Sequence, residues 1–162
     1  MTVLPRTGPG PAERAVGDRP GSIALAVVGE PLSRRVRSDR PLDLHLTLGR
    51  LSRGPYDPTF RRTPAGDVWR TTRMPGGPAT CRLAQSGPRD VVGHAWGPGA
   101  QEALDALPHL LGEHDDDTGF VPPAPLRDAH RRATGLRIPR TGRVLEALVP
   151  AILEQRVQTV AA

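Results

Sequence analysis

Residues 68–96 read VWRTTRMPGGPATCRLAQSGPRDVVGHAW, and this stretch decides the fold class. Val68–Arg73 reads as a strand with Trp69 as its largest anchor. Pro75-Gly76-Gly77-Pro78 is turn chemistry. Ala79, Cys81 and Leu83 then alternate with Thr80 and Arg82, a period of two that marks a second strand. Val91–Trp96 is a third. Upstream, Leu42, Leu44, Leu46 and Leu48 alternate with Asp43, His45 and Thr47, which predicts a further half-buried strand over 42–48. Together these segments predict an antiparallel meander with one covered face.

Downstream the period changes. Ala100, Ala103, Leu104, Leu107, Leu110 and Leu111 fit one helix ending at Gly112, with Pro108 expected to kink or interrupt it. Glu113–Asp117 reads as a charged turn, Gly119–Pro125 as an extended proline-bearing segment, and Leu126–Arg132 as a short helix. Residues 141–162, TGRVLEALVPAILEQRVQTVAA, place Val144, Leu145, Leu148, Val149, Ile152, Leu153, Val157 and Val160 on one helical stripe, with Thr141 at the N-cap position. A helix over 143–162 would be roughly 30 Å long. The overall expectation is an α+β chain in four parts. Residues 1–39 form a disordered leader, broken by proline and glycine, in which Ile23–Val28 is a transient strand at most. Residues 40–112 form a β-rich domain with a helix, 113–140 a linker with a short helix, and 141–162 the start of a helical domain. That last helix has nothing after it to pack against, so the chain is expected to be the front part of a larger protein, and a start codon placed too early is a further expectation.

The composition narrows the partners. All 22 basic residues are arginine, with 19 prolines and 18 glycines, the bias of a GC-rich coding sequence. The net charge is +5 and the pI is about 11.0, which suits an anionic partner, nucleic acid first. Residues 41–98 hold eight arginines against four acids, whereas residues 99–135 hold three against seven. A basic middle beside an acidic connector points to a DNA-facing surface. Cys81 is the one cysteine, so there is no internal disulfide and no cysteine-based zinc site, which fits a reducing cytoplasm. No run of about 18 apolar residues is present to span a membrane.

The order PLDLHLTLGRL, DVWRTTR, PATCRL, HAWGPGAQEAL and TGRVLEALVPAILEQRV resembles the actinobacterial branch of the DNA-3-methyladenine glycosylase 2 (AlkA-like) family. These are helix-hairpin-helix base-excision glycosylases. The resemblance covers residues 40–162, and its most specific motif is Glu146–Val157, EALVPAILEQRV. It implies a small β-rich N-terminal domain resembling half of a TATA-binding fold, followed by helical subdomains. The family flips a damaged base out of the duplex and cleaves its glycosidic bond with an aspartate, without metal or organic cofactor. The implied function is base-excision repair of alkylated purines in double-stranded DNA.

By the same resemblance Arg156 is the wedge that fills the gap left by the flipped base, and Gln155 supports it or touches the opposite strand. A guanidinium suits that place because it stacks on bases and neutralises phosphate. Relatives often hold an apolar residue there. The family's hairpin and its catalytic aspartate have no counterpart in these residues, and Asp115, Asp116 and Asp117 precede the long helix. No catalytic residue is therefore assigned, and this chain alone is expected not to excise a base. The alternatives are a noncatalytic DNA- or partner-binding module, with a complementing polypeptide docked on Val144–Val160, or a nonfunctional truncated remnant.

Other residues carry two readings each. Trp69 and Trp96 read as core anchors, with base stacking as the alternative. His109, His114 and Asp115–Asp117 read as a solvated turn rather than a cation site, so no metal is expected. His45 and His94 read as strand residues with no nucleophile beside them. Cys81 reads as a small buried hydrophobe. Arg34, Arg35 and Arg37 read as a solvated tail or as nonspecific phosphate contacts.

Overall fold

A computed structural model describes residues 29–155. The β-forming stretch folds as read. β3 (Val68–Met74), β4 (Gly77–Gln85) and β5 (Asp90–Trp96) are consecutive antiparallel strands joined by tight turns. Two more strands complete a five-stranded antiparallel sheet in the order β1-β5-β4-β3-β2. β2 (Phe60–Arg62) pairs with β3, and β1 (Leu32–Arg37) pairs with β5 from Leu32 opposite Ala95 to Arg37 opposite Asp90. The chain is mixed α+β.

β1 corrects the expected leader over residues 1–39. LSRRVR looks like a solvated basic run, but only every second residue faces the core, and Val36 alone of the six is buried. Backbone pairing with β5 supplies what its side chains lack. The transient strand expected at Ile23–Val28 lies outside the described residues.

The predicted strand over 42–48 is instead a helix, α1 (Leu44–Leu48). Asp43 caps it, its carboxylate accepting from the Leu46 N–H at 2.8 Å. Leu44, Thr47 and Leu48 are fully buried while Leu46 is 40% exposed. Leucines two apart satisfy a period of two, but Leu44 and Leu48 are also four apart. Unbranched leucine behind an aspartate cap favours the helix.

α2 (Ala100–Asp105) and α3 (Leu107–Leu110) replace the single helix expected over 100–111. The break falls at Ala106, two residues before Pro108, whose missing N–H cannot bond back to Leu104. Gly112 ends α3 with φ +70°, as a helix-terminating glycine should. These helices pack on one face of the sheet. Gly93 makes the approach possible, since a Cβ there would lie 2.7 Å from Leu107 Cδ2. Val68, Leu83 and Val91 from the sheet meet Leu44, Leu48, Leu104 and Leu107 in the core. Each such side chain contributes about 1.5–3 kcal/mol by leaving water.

The expected linker, 113–140, is tied back onto this core. After α4 (Arg127–Arg132), Gly135 O accepts from Asp43 N–H at 2.8 Å. Arg137, a solvent cation by composition, is 4% exposed. Its Nη2 donates to Ser38 Oγ and Arg40 O, both at 2.8 Å, and its Nη1 to Gly112 O at 3.4 Å. Burial lowers its pKa below the usual value, first by desolvation and then by the nearby Arg40 charge. α5 (Val144–Glu154) follows. Thr141 does not cap it. Its Oγ1 accepts from Arg143 N–H at 3.2 Å, and Arg143 holds the N-cap position.

Candidate nucleic-acid interface

α5 turns two glutamates and a proline toward the sheet and the loop before β2. Glu146, Pro150 and Glu154, four residues apart, are its partly covered residues, while Val144, Leu145, Leu148, Val149, Ile152 and Leu153 are 47% to 73% exposed. The contact is at an open strand edge. β2 pairs with β3 from Val68 to Arg70, and Thr71 N–H donates to Thr59 O at 2.9 Å, which leaves the Arg73 N–H beyond them without a backbone partner on that side. Glu146 caps this edge. Its carboxylate accepts from Arg73 N–H at 2.6 Å, from Thr72 Oγ1 at 2.8 Å and from Arg70 Nη2 at 3.0 Å. A single carboxylate thus satisfies a strand edge, a hydroxyl and a guanidinium. Arg70 lies on the helix-covered side of β3 opposite Cys81. Burial lowers its pKa, while the Glu146 charge opposes that fall. A second tie joins Arg53 to Glu154 at 3.0 Å, and Arg53 also donates to Ala147 O at 3.3 Å.

Between α5 and the sheet lies a cavity of about 500 Å³. Leu51, Phe60, Leu145 and Pro150 give it apolar walls, and Arg50 and Arg70 add cations.

Of the two residues assigned to DNA by resemblance, Gln155 is exposed at the C-cap of α5, its N–H bonded to Leu153 O. Arg156 lies outside the described residues. The stripe named as a docking surface, Val144–Val160, is described through Leu153; its leucines, valines and isoleucine there are exposed, and Leu145 and Val149 line the cavity.

The acidic triplet serves the loop itself. Asp115 Oδ2 accepts from Ile138 N–H at 3.1 Å, Asp116 from Thr118 N–H at 2.9 Å, and Asp117 pairs with Arg40. Hydrogen bonds from Thr118 hold the Asp116 carboxyl below its ordinary pKa. The His109 and His114 rings meet at a tilt of 41°, with centroids 4.6 Å apart. His45 sits on α1 beside Gly66, and His94 on β5 faces away from the helices, so the two are not brought together. Cys81 is buried, and desolvation pushes its thiol up to about 11.

The tryptophans depart from the core reading. Trp69 and Trp96 lie on the sheet face opposite the helices, partly covered and stacked on each other with centroids 5.5 Å apart and planes 11° from parallel. Alternation within each strand was legible from sequence, but their face was not. It depends on Val68 and Ala95, their small neighbours, being the residues that pack under α1 and α2. Arg34 turns the other way and donates to Leu104 O at 3.2 Å, whereas Arg35 pairs with Asp90 at 3.1 Å.

No family model, curated protein or solved structure matches this chain. No described helix is long and apolar enough to cross a membrane.

Proposed function

We propose that this chain supplies the β domain and the first long helix of an AlkA-like DNA glycosylase, serving base-excision repair of alkylated purines in double-stranded DNA. The observation that carries the reading is the orientation of α5. Glu146 binds the β3 edge, Glu154 binds Arg53 in the loop before β2, and Val144, Leu148, Ile152 and Leu153 are left exposed. That is the arrangement required of a helix at the boundary between a β domain and a helical domain. The motif resemblance and the basic charge support the same reading.

In this reading a complementary helical segment covers Val144–Leu153 and brings the phosphate-gripping hairpin and the catalytic aspartate. In the same reading Gln155, at the C-cap of α5, and Arg156, next in sequence, contact the duplex. The test measures duplex binding and base release together. The chain alone is expected to bind duplex weakly, with affinity falling steeply as salt rises, and to release no 3-methyladenine from methylated DNA. Absence of duplex binding at low salt sinks the DNA role of α5. Release of the base by this chain alone sinks the assignment of catalysis to a further segment.

A further inference from the structure

The sheet face that the helices leave uncovered carries both tryptophans of the chain and a surplus of arginine. Strand pairing places Arg61 opposite Trp69, Trp69 opposite Arg82, Arg82 opposite His94, and Thr80 opposite Trp96. Arg73 on β3 and Arg35 and Arg37 on β1 share the same face by alternation. Among the described residues two acids reach this face, and each is already paired: Asp67 with Arg82 at 2.6 Å and Asp90 with Arg35 at 3.1 Å. The side chains of Arg37, Arg61 and Arg73 have no hydrogen-bond or ion-pair partner among the described residues. His94 Nδ1 is buried without a partner there as well.

This combination selects its ligand. A sheet face turned to water ordinarily alternates to polar residues, yet its centre here is a pair of indoles. Flat aromatic rings flanked by unpaired guanidinium groups match single-stranded nucleic acid, whose bases stack on rings while its phosphates meet the cations. Duplex DNA keeps its base faces stacked internally and offers this surface phosphates alone. A second copy of the chain would set one arginine-rich face against another, which like charges oppose.

We propose that the uncovered sheet face binds single-stranded DNA, Trp69 and Trp96 stacking on bases while Arg37, Arg61 and Arg73 hold phosphates. The site lies across the sheet from the core helices and does not depend on the reading of α5.

The two tryptophans make the site its own reporter. The full chain is titrated with an oligothymidylate of about 12 nucleotides, and intrinsic fluorescence is followed. The expected result is saturable quenching at low salt that fades as salt rises. Arg61→Ala with Arg73→Ala is expected to weaken binding about tenfold and to reduce the slope of log affinity against log salt by about 1.4. That pair leaves the Arg73 backbone bond to Glu146 in place. Trp96→Ala is expected to weaken binding at least about fivefold, with circular dichroism checking its fold. If Trp96→Ala fails to fold, the arginine pair still decides. No quenching at low salt overturns the proposal, as does equal quenching by a blunt duplex, or unchanged affinity in the arginine pair. Concentration-dependent self-association that buries the indoles without DNA overturns it in favour of a second copy. Gln155→Ala with Arg156→Ala is expected to lower duplex affinity and leave this quenching intact, so the two readings fail separately.

Discussion

Helices α2 and α3 turn Leu104, Leu107, Leu110 and Leu111 into the sheet, each less than a tenth exposed, whereas the leucines and valines of α5 stay exposed, Leu145 and Val149 along the cavity. All three are amphipathic, and they attach to the same sheet by opposite means. α2 and α3 are held by apolar area on the covered face, with Gly93 clearing the space they need. α5 is held by hydrogen bonds and ion pairs, Glu146 at the β3 edge and Glu154 on Arg53 in the loop before β2. An apolar stripe therefore finds the core only where a complementary face lies within reach. A strand edge, which presents unpaired N–H groups, recruits a carboxylate instead.

This contrast can be broken at its strong end first. Leu107→Ala removes a fully buried side chain from between α3 and β5. It is expected to cost about 2–5 kcal/mol of global stability, read as a lower urea midpoint. A loss under 1 kcal/mol would mean that the covered face is not what holds α3. Glu146→Gln acts on the other attachment. It leaves the Arg70 guanidinium without its charge partner and weakens the edge cap, an effect of about 1–3 kcal/mol. The loss is expected to be local: hydrogen exchange in α5 accelerates while β3, β4 and β5 keep their protection. Uniform acceleration through the sheet would show α5 to be part of the global folding unit.

Cys81 sharpens the comparison from the covered side. Its raised pKa means that the folded state holds the thiol proton more tightly than the unfolded chain does. Stability from this group is full below the ordinary value of 9.0 and is lost as pH rises through about 11. Thiol labelling at pH 8 is expected to be slow in the native chain and to stay slow in Glu146→Gln. Fast labelling in that variant would tie Cys81 to α5 rather than to the core. The smallest expected effect is Leu148→Ser, at a position 47% exposed. Stability should change by less than about 0.5 kcal/mol, and sedimentation should show less self-association. A large loss of stability would place Leu148 in a packed interface.

Legibility from sequence followed the locality of the cause. β3, β4 and β5 were readable because β-branched and aromatic residues, alternation and the Pro-Gly turn all lie within a few residues of one another. The split at Pro108 and the stop at Gly112 were readable for the same reason. β1 and β2 were not, because their strand character comes from pairing with β5 and β3 far along the chain. α1 was misread because four leucines two apart satisfy both periods, and only the Asp43 cap and the burial of Leu44 and Leu48 choose between them. Of the site, Gln155 and Arg156 came from resemblance, while the Glu146 cap was invisible: a glutamate in the first turn of a helix gives no sign that a strand edge waits for it. The sheet-face site was half legible, since Trp69, Trp96 and the arginines were noticed singly but not as neighbours.

By itself, then, the sequence determined the α+β class, three strands of the sheet, the α2–α3 break, the apolar stripe of α5 and a basic net charge. Tertiary structure alone decided which side of the sheet each strand residue faces, that Arg137 is buried and Trp69 is not, and that α5 attaches by its glutamates. The physical reason is that hydrogen-bonded periodicity is written locally along the chain. Burial and charge pairing depend on what another segment brings to the same point in space, as α1 and α2 do beneath Val68 and Ala95, and as Arg70 does for Glu146.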